Sequence, residues 1–178
     1  MKEKIDVYEH MGEILKRVRK GVLITGKASG RINSMTISWG MTGREWGKPV
    51  FVTFIRENRF TRSLLEKNGE FTVSIPVDDS AKKILGFCGS KSGRDVDKAK
   101  EIGLTYEEPE TISVPGVKEL PLTLECKVVY KQTQDTEAMT EENREKFYPQ
   151  NVESSFSGAN RDTHIAYYGE IVDAYVIE

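Results

Sequence analysis

The chain has 178 residues, 38% of them hydrophobic and 30% charged, enough to fill one core, so a single domain over residues 1–178 is expected. A formal net charge of −2 and a pI near 5.9 exclude a global pull toward nucleic acid or an anionic membrane surface, and any basic site must be local. The two cysteines, Cys88 and Cys126, lie far apart and in no CxxC pair, which argues against a disulfide framework, a zinc site or an iron-sulfur cluster and for two buried thiols.

The N-terminal stretch is charged throughout and lacks the apolar centre of a signal peptide. No run reaches the roughly 18 apolar residues of a membrane span, so a cytoplasmic protein is expected. Residues 1–19 read as an N-terminal helical segment: Tyr8, Met11, Leu15, Val7, Ile14 and Val18 recur at helical spacing near 7 to 19, and Gly21 ends the pattern. Lys16, Arg17, Arg19 and Lys20 in its last turn complement the negative end of a helix dipole.

From Gly21 to about residue 76 the pattern becomes that of strands: GVLITGKA, NSMTISWGMT, PVFVTFI and EFTVSIP, rich in β-branched and aromatic residues and bounded by Gly, Pro and Asn. In the second of these, Met35, Ile37, Trp39 and Met41 alternate with Ser34, Thr36 and Ser38. One face packs and the other, with Asn33 beside it, is free to hydrogen-bond a ligand. The run RFTRSLLEKNG between the last two strands reads as a short helix closed by Gly69.

Residues 78 to 103 read as two short helices, the first opened by Asp78, Asp79 or Ser80 and the second by Asp95, with the turn-rich segment Gly89-Ser90-Lys91-Ser92-Gly93 between them. LPLTLECKVVYKQ alternates as a half-buried strand. Thr136 to Ser157 is a polar excursion with a helical run EENREKF, and HIAYYGEIVDAYVI is a long strand covered on both sides.

Two segments have the makings of an anion site. With Asn58 as N-cap of a helix beginning at Arg59, the free amides of Phe60 and Thr61 are joined by the Thr61 hydroxyl and the guanidinium groups of Arg56 and Arg59. The same residues also describe an ordinary capped helix with solvated arginines. The loop from Gly89 to Asp95 combines permissive glycines, two serine hydroxyls, Lys91 and Arg94, and equally describes a solvated surface turn. No GxxxxGK[ST], GxGxxG, HExxH or GxSxG is present, which removes P-loop, Rossmann, zinc-protease and nucleophile-elbow chemistry. Of the two histidines, His10 reads as structural or exposed, while His164 opens the last strand beside the polar loop ending at Asp162 and can border a ligand.

Taken in order, N-S-M-T-I-S-W, R-x-N-R-x-T, F-C-G-S-K-S-G-R-D-x-D-K and H-I-x-x-x-G-E-I-V-x-A resemble the flavin reductase-like, FMN-binding split-barrel family, particularly its flavoredoxin-like members, over roughly residues 20 to 177. The resemblance implies a mainly β fold with α, an antiparallel six-stranded-type FMN-binding split barrel with peripheral helices. It also implies a homodimer with FMN near the interface and NADH or NADPH as co-substrate. It places Asn33, Ser34, Met35, Thr36, Ile37, Ser38 and Trp39 along the isoalloxazine and ribityl chain. Arg56, Asn58, Arg59 and Thr61 hold the phosphate together with Cys88, Gly89, Ser90, Lys91 and Ser92, and His164 lines the donor site as the catalytic candidate. No metal, nucleic acid or membrane enters this reading. The segment 136–158 is longer and more polar than in simple flavin reductases and is expected to cover the site or the dimer interface. That leaves open a flavoredoxin-like electron carrier, with tightly held FMN and a redox protein partner, and a non-redox module for phosphorylated ligands.

Overall fold

The computed structural model describes residues 1–150, 152–153 and 162–178. Its elements run β1 (Lys2–Lys4), α1 (Val7–Lys20), β2 (Val22–Ala28), β3 (Arg31–Ile37), β4 (Gly40–Glu45), β5 (Lys48–Arg56), α2 (Phe60–Asn68), β6 (Glu70–Ile75), α3 (Lys82–Ser90), α4 (Lys98–Ile102), β7 (Tyr106–Glu107), β8 (Gly116–Val117), β9 (Leu122–Thr133), a 3₁₀ turn (Thr136–Ala138), α5 (Glu141–Phe147) and β10 (His164–Ile177).

The two tightest hairpins carry a left-handed pair at the tip, Ser29-Gly30 between β2 and β3 and Trp46-Gly47 between β4 and β5. That backbone twist matches the twist of the strands it joins. The ladders are antiparallel and the main sheet runs β3-β2-β6-β9-β10-β5-β4, with β1 added beside β10. Its two ends, β3 and β4, are consecutive in the chain and are joined through Ser38 and Trp39. The sheet curls around one core to which β2, β3, β5, β6, β9 and β10 all contribute, with Ile24, Phe51, Ile55, Phe71, Val73 and Leu124 fully buried. Removing each such side chain from water contributes roughly 1.5–3 kcal/mol.

α1 lays Val7, Ile14 and Val18 into this core. Asp6 caps its start by accepting from the Tyr8 amide, and Gly21 ends it. The basic last turn is occupied with its neighbours: Arg17 reaches Glu13 and the Val77 carbonyl, and Lys20 reaches Asp79. A second cluster, with Leu23, Leu85, Cys88, Leu104, Val117 and Leu120, seats α3 and α4 against the other face of β2. Both faces of β2 are therefore covered, which is why VLIT shows no alternation.

Several expectations need correction. NSMTISWGMT is two strands, because the chain leaves the β2 ladder after Ile37 and joins the β5 ladder at Gly40. The sheet has eight strands, two more than the expected six, since β4 extends the β5 edge and β1 occupies residues expected in the N-terminal helix. Lys2 and Lys4 of β1 are anchored by Glu110 and Asp173. The helix caps also shift: α2 begins at Phe60 with Arg59 at the cap and no side-chain cap bond, α3 begins after Ala81, and α4 is capped by Asp97 instead of Asp95. Finally, β9 is not half-buried over Leu122 to Cys126, where every residue is buried. Glu125 is enclosed because it accepts from the amides of Glu110, Thr111 and Ile112, the Thr111 hydroxyl and the Tyr175 hydroxyl. Of the excursion expected over 136–158, residues 151 and 154–158 lie outside the described residues, as do 158–161 of the loop before His164.

Candidate functional site

β3, the terminal strand of the sheet, forms one wall of a cleft of about 450 Å³. The opposite walls are the start of α2, the end of α3 with the loop that follows it, and the first residue of β10. These pieces are tied to one another. The Asn33 amide donates to the Thr61 hydroxyl oxygen at 2.8 Å, coupling β3 to α2. The Thr36 hydroxyl donates to the Leu85 carbonyl at 2.7 Å, coupling β3 to α3. Arg94 donates to the Asn58 carbonyl at 2.7 Å, closing the loop onto the turn before α2. Gly93 sits where any Cβ would overlap the Asn33 amide, so the loop approaches β3 as closely as a backbone can.

Of the residues singled out in the sequence, Asn33, Met35, Thr36, Ile37, Ser38 and Trp39 line the cleft from β3 and its exit. Arg56, Asn58, Arg59 and Thr61 line it from the β5–α2 turn, and Cys88, Gly89, Ser90, Lys91 and Ser92 from the end of α3. His164 lines it from β10, directly across the ladder from Arg56. Ser34 is not among the residues lining the cleft: it is fully buried, with its hydroxyl 2.8 Å from that of Thr25. Asn58 does not cap α2. Its amide instead donates to the Asp162 carboxylate at 2.9 Å. Met41, expected on the packed face, is 49% exposed because the alternation breaks at Ser38.

The electrostatics of the lining are one-sided. Arg56, Arg59, Lys91, Arg94 and Lys98 all face this cleft, and no carboxylate is among the described lining residues, in a chain whose net charge is −2. The amino end of α2 adds unpaired amides and the positive end of its dipole. The lining also carries the aromatic side chains Trp39, Phe54 and His164. The Trp39 and His164 rings lie 5.0 Å apart, centroid to centroid. His164 is 7% exposed, and burial, aided by the nearby Arg56 charge, pulls its pKa down to about 4. The ring is therefore neutral near pH 7, with Nδ1 held 2.7 Å from the Tyr148 hydroxyl. A cleft lined by several cations and by aromatic rings fits a ligand with an anionic group and a planar ring system.

A flavin reductase like domain model matches residues 15–178. The chain belongs to that family. It is 30% identical over 120 residues to an uncharacterized protein of Archaeoglobus fulgidus, a match covering 67% of this chain and 66% of that one. The matched stretch spans less than two thirds of the length of the curated relatives. Among solved structures, the fold is similar to flavoredoxin from Methanosarcina acetivorans, with a TM-score of 0.63, 25% identity, and coverage of 89% of this chain and 68% of that one. It is also similar to an FMN-binding domain of a flavin reductases-like enzyme from Shewanella baltica, with a TM-score of 0.66, 17% identity, and coverage of 99% and 77%. The fold is the antiparallel split barrel of these flavin reductase-like neighbours.

In this flavin reductase like domain the cleft also contains Phe60, Gly93 and Arg94 of the two anion-site segments, and Phe54 and Lys98, which the sequence did not single out. Lys98 is the most consequential. It is 4% exposed, and its ammonium donates to the carbonyls of Ser34 at 2.9 Å and Cys88 at 2.8 Å, pinning α4 and the end of α3 to β3. Burial lowers its pKa and, in the same place, raises that of the Cys88 thiol. A signal was available, because Lys98 stands four residues before Ile102 and so shares the packed stripe of its helix. Phe60 is recruited by cations: the Arg31 guanidinium lies 4.4 Å from its ring centroid and that of Arg94 lies 6.0 Å away.

Proposed function

We propose that this domain binds FMN in the cleft and acts as an oxidoreductase of the flavin reductase type, with NADH or NADPH as co-substrate. The observation that carries this reading is the set of five cationic side chains, unaccompanied by carboxylates among the described lining residues, in a cleft that also carries Trp39, Phe54 and His164. The phosphate would be held by Arg59, Lys91, the α2 amides and the Thr61 hydroxyl. Thr61 accepts from Asn33 and so keeps its own hydrogen to donate. The ring system would lie along the free side of β3 toward Trp39. Bound flavin supplies the hydride and electron chemistry. What the chain contributes is position: Lys98 fixes the backbone of β3, Asn33 fixes Thr61, and Trp39 and His164 set the width of the ring end. Arg56 has a different part. It donates to the carbonyls of Asp162 and Phe147, and so ties the end of α5 and the approach to β10 to the site.

Replacing Arg59 and Thr61 together by Ala tests the phosphate assignment. FMN affinity falls at least about tenfold, the loss of charge-assisted hydrogen bonds, while riboflavin, which lacks the phosphate, is affected little. Equal losses for the two flavins contradict it.

One observation favours a second reading, an electron carrier with permanently held FMN and a redox protein partner. The Phe147 ring of α5 stands edge-on to Trp39 with centroids 5.1 Å apart, narrowing the approach to the ring end of the cleft. Steady-state oxidation of NADH or NADPH with added flavin separates the two. Rapid turnover supports the reductase, whereas retained FMN without turnover supports the carrier.

A further inference from the structure

The surroundings of His164 fix more than its charge. Its ring opens β10 and lines the cleft, while Nδ1 meets a residue outside the cleft lining, the Tyr148 hydroxyl at 2.7 Å. That hydroxyl is in turn 3.2 Å from the Gln134 amide oxygen. Tyr148 closes α5 and Gln134 follows β9, and the Gln134 backbone amide donates to the His164 carbonyl at 2.9 Å. Two elements therefore converge on one buried imidazole.

The hydrogens along this chain follow from counting donors. An amide oxygen only accepts, and a tyrosine hydroxyl has a single hydrogen to give. Tyr148 gives it to Gln134, so the 2.7 Å contact is closed by a hydrogen on Nδ1. The reverse assignment would set two oxygens against each other at 3.2 Å with no hydrogen between them, and forfeit a hydrogen bond. Burial first, then Arg56 and Arg59 against Asp162, keeps a second proton off the ring near pH 7. The neutral ring thus carries its one hydrogen on Nδ1 and a lone pair on Nε2.

Nε2 has no hydrogen-bond partner among the described residues and is not one of their sealed, unpaired atoms, so it is left to the cleft that the ring lines. Elsewhere that lining is rich in donors, with Arg56, Arg59, Lys91, Arg94 and Lys98 and no carboxylate among the described residues. A further donor at Nε2 would oppose a ligand's own N–H and O–H groups, whereas a lone pair there receives one of them.

We propose that Gln134 and Tyr148 are positioning residues that hold His164 as the Nδ1–H tautomer, so that Nε2 accepts a hydrogen bond from an N–H or O–H group of the molecule in the cleft. The tautomer stands on the protein's own hydrogen bonds. Only the choice of FMN, through its imide N–H, as that molecule rests on the flavin reading.

Nitrogen NMR of the imidazole reads the tautomer directly. In flavin-free His10→Gln protein His164 is the remaining histidine, and near pH 7 a protonated Nδ1 and a bare Nε2 are expected. Gln134→Leu leaves the ring untouched but turns the Tyr148 hydrogen toward Nδ1, and so moves the ring's hydrogen to Nε2. A role confined to packing would not move it. With FMN added to saturation, the Nε2 resonance shifts upfield as it accepts a hydrogen bond, and Gln134→Leu weakens FMN about two- to tenfold. A ring protonated at Nε2 in the His10→Gln protein, an unchanged tautomer in Gln134→Leu, or an Nε2 resonance indifferent to bound FMN overturns the proposal. The Nδ1–H tautomer in a chain that binds no FMN upholds the positioning and removes the flavin reading instead.

Discussion

Glu125 is a buried carboxylate with five donors aimed at it, three backbone amides and two hydroxyls. Burial alone would raise its pKa, but those hydrogen bonds outweigh burial and bring it below the ordinary carboxylate value. Glu125→Gln, which replaces an accepting oxygen by a donor facing donors, is predicted to cost roughly 3 kcal/mol at pH 7 by denaturant unfolding. Because the folded pKa is depressed, the benefit of the charge is complete above the unfolded value and is lost as pH falls through the folded one. The gap between wild type and variant therefore narrows in acid. His164 also has a depressed pKa, about 4 against 6.5, and for a histidine this means that the unfolded chain takes up the proton first. Stability should fall as pH drops from 6.5 to 4, by roughly 3 kcal/mol for this group, and His164→Asn should flatten that part of the pH profile. An unchanged slope in the variant would contradict the burial argument.

The elements show why some of the chain was legible and some was not. α1, α2 and β10 carry periodicity and Gly punctuation strong enough that their extents follow from sequence, and Gly69 does close α2 in the left-handed conformation. The break at Ser38-Trp39 carries no Gly or Pro before Gly40, and only the two ladders on either side reveal it. β9 misled because a charged residue on an alternating strand normally faces water, whereas the distant segment 110–112 folds over Glu125 and supplies its donors. At the bulge between β9 and β10, Gly169 leaves room for Phe71: a Cβ there would lie 2.5 Å from the Phe71 ring and 2.8 Å from Cys126 Cβ. Gly169→Ala is accordingly predicted to destabilise by about 1–3 kcal/mol through overpacking, measured as a lower denaturation midpoint. A neutral result would mean that the curl of the sheet is not set there.

At the scale of the molecule, the cleft was largely legible because its residues come in short runs with the right chemistry, Asn33 to Trp39, Arg56 to Thr61 and Cys88 to Ser92. Phe54 was not, since its role depends on which side of the β5 ladder it faces, and Lys98 showed only through its place on the packed stripe of α4. Among the described residues no helix is long and apolar enough to cross a membrane, and no group of His, Cys, Asp and Glu is placed to hold a metal ion. We further propose a homodimer. Trp46, Tyr130 and Tyr168 form a ring cluster at the barrel surface, with Trp46 56% and Tyr130 42% exposed, a patch suited to a second copy. Sedimentation equilibrium should return twice the 20.2 kDa chain mass, and a Tyr130→Glu variant the single mass, whereas a monomeric wild type refutes the pairing. The central claim, that the cationic cleft receives a phosphorylated flavin, is tested most directly by titrating the purified chain with FMN and with riboflavin and following flavin fluorescence. Saturation at about one FMN per chain is expected, with riboflavin at least about tenfold weaker. No saturable FMN binding, or equal affinity for both flavins, would contradict it.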